Sequence, residues 1–202
     1  QREYPCPVDV AERDRLGGNL DAFTTHEETG FAIKVIDDQL PQAFDLIADM
    51  LANPRFDEKD LESEQRVIIE EMKMLEDSPD EYLGEIFSAG FFPGHPLGLS
   101  IAGTPETVRT FDTELTLDYH SRAFRGANLV IAAAGNIDHA RLVDLAASAW
   151  PTHGTDTLAP FWEPPKYDAP IIVEQNENLE QAHMMIAVPF VAALDQKRYA
   201  AD

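Results

Sequence analysis

Two glutamates seven residues apart, Glu64 and Glu71, are the side chains in this sequence best suited to chemistry. They sit in DEKDLESEQRVIIEEMKMLEDS, residues 57–78, a stretch with no helix breaker inside it and Asp57 placed as an N-cap. Seven residues is nearly two helical turns. In a helix the two carboxylates therefore fall within about 20° of each other around the axis and roughly 10 Å apart along it. Leu61, Glu64, Ile68, Glu71 and Leu75 then line up at spacings of three and four, the pattern of a core-facing side. Ionised carboxylates on such a stripe are costly unless a cation, a metal or strong donors meet them. One glutamate there fits a tilted, half-exposed helix. Two in register with Leu, Ile and Leu point at least equally to a site, with both carboxylates turned inward.

The elements that must position this helix read as follows. A short helix over 8–16 ends at Gly17-Gly18, where glycine serves backbone geometry. Residues 19–25 and 31–36 read as two strands joined through 26–30. Leu40, Phe44, Ile47 and Leu51 share one face of a helix closed by Asn53-Pro54. Ser78-Pro79-Asp80-Glu81 combines a capping box with proline at the first helical position, opening a helix to about Phe91. Thr104-Pro105-Glu106 opens another in the same manner, and a further helix covers 113–124. The apolar run 128–134 reads as a buried strand, and Asp138 caps a helix over 139–150. Residues 151–170 shift to Thr, Gly, Pro and Trp, an inter-domain connection; 171–174 and 181–188 read as strands of a second unit. The expected class is α+β, a mixed or antiparallel sheet with helices packed on one face. The expected domains are 1–164 and 165–202.

Composition narrows the partners. The chain has 202 residues, with 15 Lys+Arg against 37 Asp+Glu and a net charge of −22, which argues against nucleic acid and anionic membrane surfaces. That charge fits basic peptides, although acidity also serves solubility alone. A single cysteine, Cys6, excludes a disulfide framework or a multi-cysteine zinc site. No apolar run approaches the length of a membrane span. His95 and His120 read as turn or packing residues, Gln181 and His183 as structure of the second unit, and Met72, Met74, Met184 and Met185 as core or near-core.

Several stretches in order, GGNLDAFTTHEETGFAIKV, FDEKDLESEQRVIIEEMKMLEDSPDE, FFPGHPLGLSIAGTPETV, YHSRAFRGANLVIAAAGNID and NLEQAHMMIAV, resemble the pitrilysin/insulinase-type zinc peptidases, most of all the processing-peptidase branch. The resemblance implies an inverted zinc motif, H-x-x-E-H, with a third zinc ligand supplied by an E-x6-E pair further on. Carried over, Glu71 is the zinc ligand and Glu64 the supporting catalytic carboxylate. The implied chemistry is a zinc-bound water attacking a peptide carbonyl.

One departure is large: the six histidines, at 26, 95, 120, 139, 153 and 183, contain no H-x-x-E-H pairing. The expectation is of a fragment that begins shortly after the zinc helix and is inactive alone. Asn19, Leu20, Asp21 and Ala22 fall on the family's edge strand, which binds substrate by taking the peptide on as an extra strand. Asp21 stands where the family usually has asparagine. An ordinary exposed polar residue at a strand edge is an equally good account of it. The implied partners are a peptide substrate and a homologous second half or partner subunit, with no nucleic acid and no membrane. The leading function is a zinc metalloendopeptidase. The alternative is a non-catalytic scaffold or partner subunit of the same family, and a metal-free acidic binding domain fits the strand-rich start and end poorly.

Overall fold

The strands expected near the start form a hairpin, β1 (Asn19–Thr24) and β2 (Thr29–Lys34), paired antiparallel from Asn19↔Lys34 to Thr24↔Thr29. In the computed structural model of the chain the described residues are 18–150, 163–175, 181–188, 190–192 and 195–200. The short helix expected over 8–16 and most of the connection lie outside them. Six α-helices follow the hairpin in the described residues: α1 (Leu40–Ala52), α2 (Glu58–Glu76), α3 (Pro79–Phe91), α4 (Pro105–Val108), α5 (Thr113–Ala123) and α6 (His139–Ala149). The class is α+β. The chain divides into two compact units, Gln1–Glu70 with Ile101–Pro164, and Glu71–Ser100 with Pro165–Asp202.

In the first unit the hairpin has an inner and an outer face, because successive strand residues point to opposite sides. Phe31 and Ile33 turn inward, and Ile33 and Val35 pack on α1 against buried Ala43 and Leu46, with Met50 at the margin. Phe31 meets Phe124 edge-on, and Phe44 meets Trp150 at 81°, joining β2 to the end of α5 and α1 to the end of α6. His120 is a packing residue as expected. Its ring stacks on Phe124, meets Phe56 edge-on, and its Nε2 lies 2.9 Å from the Leu51 carbonyl near the end of α1. A helix C-terminus leaves its last carbonyls unpaired, and an imidazole N–H satisfies one of them.

Helix starts follow the local chemistry in most cases. Asp112 and Asp138 cap α5 and α6, accepting from Leu115 N and Arg141 N, and Thr104 and Thr107 form a reciprocal capping box at α4. Ser78 corrects the expectation: it stands at the N-cap of α3 with Pro79 following, but its side chain makes no capping bond. The first turn relies instead on the Pro79 φ and on Asp80 and Glu81 near the positive end of the helix.

In the second unit Phe87, Phe91 and Tyr167 stack in series, and Asp168 N donates to Phe91 O at 2.9 Å. Gly90 lets this segment approach, since a Cβ there would come within 2.5 Å of the Ile172 side chain. His183 Nδ1 lies 2.6 Å from Asp80 Oδ1.

Three expected strands, 128–134, 171–174 and 181–188, form no ladder among the described residues. Residues 130–134 are all exposed, Val130 at 94%. A run apolar on both faces is built for the interior of a sheet with partners on both edges; in the first unit the only described pairing is β1 with β2. Met74, Met184 and Met185 are likewise exposed rather than near-core, since thioethers tolerate a helix surface or an unpaired segment at small cost.

Candidate functional site

Helix α2 carries the glutamate pair on one continuous element, as the spacing predicts, running 58–76 within the expected 57–78. Its start is fixed by Asp57, whose carbonyl accepts from Asp60 N and Leu61 N, both at 3.0 Å. Within the first unit Thr113 Oγ1 donates to Phe56 O, and Gln65 Nε2 donates to Phe111 O, each at 2.7 Å. These two bonds hold the front of α2 against the turn that leads into α5.

The inward-facing expectation is corrected. Glu64 and Glu71 are both exposed, and the half-buried residues of α2 are Leu61, Gln65, Ile68, Ile69, Met72 and Leu75. The sheltered stripe therefore runs 61-65-68-72-75. At 100° per residue Glu64 and Glu71 sit on its shoulder, roughly 60–80° from its centre. The physical reason is plain: an amide and a thioether cost less to shelter than two carboxylates. The two glutamates still share one side of the helix, available to a group brought to it.

The described residues do not compose a zinc site by themselves. No group of three His, Cys, Asp or Glu side chains among them converges to hold a metal ion. Glu71 offers one carboxylate, and a catalytic zinc takes three protein ligands.

The four residues expected to bind peptide lie on β1, and the hairpin register decides what each presents. Thr25 N donates to Glu28 O at 2.8 Å, so 25 and 28 are a hydrogen-bonded pair in the same register. Such pairs alternate along an antiparallel ladder, which makes Phe23/Gly30, Asp21/Ala32 and Asn19/Lys34 hydrogen-bonded as well. The N–H and C=O groups of Leu20, Ala22 and Thr24 therefore point away from β2, toward the edge that carries no other strand among the described residues. Thr24, at the end of the same strand, shares this outward backbone direction with Leu20 and Ala22. Asn19 and Asp21 present side chains instead: both are exposed on the outer face, and Asn19 Nδ2 donates to Asp21 Oδ2. Ala22 is exposed and Leu20 half-buried on the inner face.

Two further groups lie in the second unit. Tyr82 is hydrogen-bonded to Glu174, and the negative charge of Glu174, followed by burial, holds its phenol above the ordinary 10.0. His95 is a turn residue as expected, its Nδ1 accepting from Leu97 N at 3.2 Å. No helix of the described residues is long and apolar enough to cross a membrane.

Comparison with known proteins bears on the same elements. Residues 10–105 match the family model described as insulinase (peptidase family M16), and residues 110–202 match the peptidase M16 inactive domain. The chain is 32% identical to an uncharacterized zinc protease of Mycobacterium leprae, over 90% of this chain and 42% of that protein. It is 31% identical to cytochrome b-c1 complex subunit 1, mitochondrial, of Bos taurus, over 88% of this chain and 38% of that protein. The chain thus spans about two fifths of the length of these relatives. A peptidase M16 inactive domain from Pseudomonas fluorescens superposes with a TM-score of 0.70 over 79% of this chain and 39% of that one, at 15% identity, a likeness of fold. With two models of one family matched in succession along nearly all of its length, the chain belongs to the insulinase family of peptidases, M16.

Proposed function

We propose that this chain supplies a zinc-ligand helix and a peptide-binding edge strand to a zinc-dependent metalloendopeptidase that hydrolyses peptides or small proteins. The observation that carries the reading is the glutamate pair. Glu64 and Glu71 are both present, at E-x6-E spacing, on one unbroken helix with both carboxylates exposed. Glu71 is the ligand and Glu64 the carboxylate that orients what binds beside it. Leu20, Ala22 and Thr24 offer backbone groups to an extended peptide, and Asn19 and Asp21 offer side chains. The remaining zinc ligands belong to other parts of the full-length protein. Residues 1–164 then form the peptidase domain, and 165–202 begin a second, homologous domain. A homologous second half, in the same chain or as a partner subunit, completes the chamber around the peptide.

The relatives named as zinc proteases support this reading. The second reading, a non-catalytic subunit, is favoured by the bovine relative, which is named as a subunit of a larger complex. The two separate on one experiment. The full-length protein containing this sequence is assayed for hydrolysis of unstructured peptides, stripped with a chelator, and reloaded with zinc. The enzyme reading expects hydrolysis that is lost on stripping and regained with zinc. Absence of hydrolysis in the zinc-loaded protein establishes the subunit reading.

A further inference from the structure

The two bonds at the front of α2 act at different places along it. Phe56 lies just before the helix; its ring centroid is 5.8 Å from that of His120, and its carbonyl accepts from Thr113 Oγ1 at 2.7 Å. Further on, Gln65 Nε2 donates to Phe111 O, also at 2.7 Å. Only the nitrogen of the Gln65 amide can donate to a carbonyl, so the side chain is fixed end for end. Phe56 and Gln65 stand about 13 Å apart along the axis. One anchor leaves a helix free to pivot, and a second at that distance sets its tilt. The bracket that receives both is built without help from α2. Phe111 N donates to Val108 O at 3.2 Å, and Val108 is buried. Asp112 Oδ1 caps α5 by accepting from Leu115 N at 2.8 Å, and Asp112 O accepts from Thr116 N at 3.0 Å. Residues 111–113 thus start α5 and grip α2 at once.

Gln65 is the amide in an otherwise apolar row. The other members of the sheltered stripe are Leu61, Ile68, Met72 and Leu75. An apolar side chain at 65 would complete that stripe, but apolar contact has no direction and permits a helix to roll or slide. A half-buried amide is favourable only when its donors are met. The bond to Phe111 meets one of them, and it fixes the rotation of α2 about its own axis. Glu64 is the preceding residue, about 100° around that axis. Holding Gln65 on the turn therefore directs Glu64, which is exposed, away from it.

The geometry points to Gln65 as a positioning residue: its bond to Phe111, with the Thr113–Phe56 bond as pivot, fixes the tilt and rotation of α2 and so the place where Glu64 stands. Its consequence for catalysis rests on the peptidase reading above. A tilt of about 5° at the pivot carries Glu64 through roughly 1 Å, and Glu71, further along the same helix, through roughly 2 Å. A misplacement of about 1 Å at a reacting group costs up to about 100-fold in rate. Neither bond involves β1, so the strand proposed to take the peptide is left as it is.

Two measurements on the full-length protein test this. Gln65→Met keeps the length and helix preference of the side chain and removes its donor, while Thr113→Val and Thr113→Ser remove and keep the hydroxyl. Asp138→Ala strips the cap of α6 and is the control for a similar loss of stability away from α2. In a cysteine-free background, spin labels on Val67→Cys and Tyr119→Cys, both exposed positions, report the distance from α2 to α5. Gln65→Met should shift or broaden that distance by about 1 Å and lower kcat about 10–100-fold, with KM within about twofold. Its Tm should fall by no more than about 4 °C. Thr113→Val should act in the same direction and Thr113→Ser should match wild type. Asp138→Ala should keep both the distance and kcat. An unchanged label distance in Gln65→Met overturns the inference, and so does an unchanged kcat beside a shifted distance; in the latter case the peptidase reading stands. An equal fall of kcat in Asp138→Ala makes the effect one of general stability and overturns it as well. If the zinc-loaded wild type hydrolyses nothing, the peptidase reading fails, and the label distance alone decides whether Gln65 holds α2.

Discussion

Replacing Leu46 with alanine strikes the one fully buried large side chain of the described core and tests how the hairpin is held. Leu46 is 2% exposed and packs with Ala43, Ile33, Val35 and Met50. The change removes three carbons, worth about 0.8 kcal/mol each on transfer, or roughly 2.4 kcal/mol in all. A cavity term adds to this, and Leu→Ala changes span about 2–5 kcal/mol depending on how far the site collapses. Ala43 carries only a methyl, which has no rotamer to swing into the gap. Ile33, Val35 and Met50 are only partly buried and Met50 is flexible, so collapse is easy and the cavity term small. The expected loss is therefore about 3 kcal/mol, or a fall in Tm of roughly 6–12 °C for a chain of this size. Thermal and urea unfolding followed by circular dichroism provide the assay, with Met74→Ala as control. Met74 is exposed, and its truncation should cost under about 0.5 kcal/mol. Since Ile33 belongs to β2 and Val35 follows directly on it, amide exchange along the hairpin should also accelerate. A Leu46→Ala variant no less stable than Met74→Ala, with unchanged exchange at 19–34, would refute the reasoning.

Asp138→Ala removes the side chain that accepts from Arg141 N at 2.9 Å at the start of α6, and should cost about 1 kcal/mol in urea unfolding. His120→Leu keeps the apolar contact but leaves the Leu51 carbonyl without its imidazole partner, so about 1 kcal/mol of stability should be lost. Glu174→Gln should bring the Tyr82 phenol back toward 10.0, read by ultraviolet titration, because the Glu174 charge is the largest cause of its upward shift. The sign follows from the direction. A phenol raised on folding keeps its proton longer in the folded chain, so its contribution is complete below about 10 and is lost as pH rises through the folded value.

The helices were legible because capping residues, proline at first turns and apolar periodicity all agree, and α2 needed no more than its uninterrupted run of helix formers. The hairpin was legible in type but displaced on its second strand, where 29–34 pairs instead of 31–36. Thr29 and Gly30, read as connection, are the partners of Thr24 and Phe23, since the Phe23 ring covers the glycine and makes it a tolerable strand residue. The stripe through Glu64 and Glu71 was misplaced by a fraction of a turn. Spacing alone does not distinguish 61-64-68-71-75 from 61-65-68-72-75, and the cost of sheltering carboxylates decides between them. The runs 128–134, 171–174 and 181–188 have strand composition, but a strand becomes one only when a neighbour supplies its hydrogen bonds. Which backbone groups of β1 face its open edge could not be read from residue types, because that direction is set by the Thr25–Glu28 pair.

Zinc content and peptide hydrolysis of the full-length protein, in wild type, Glu71→Gln and Glu64→Gln, put the assignment of the α2 helix to the most direct test. Wild type should hold about one zinc per catalytic site. Glu71→Gln should lose most of the metal together with activity, because a neutral amide is a poor zinc ligand. Glu64→Gln should keep more metal while activity falls about 10–100-fold, as supporting groups beside a metal do. A Glu71→Gln protein with full zinc and full rate would contradict the placement of the zinc ligand on this helix.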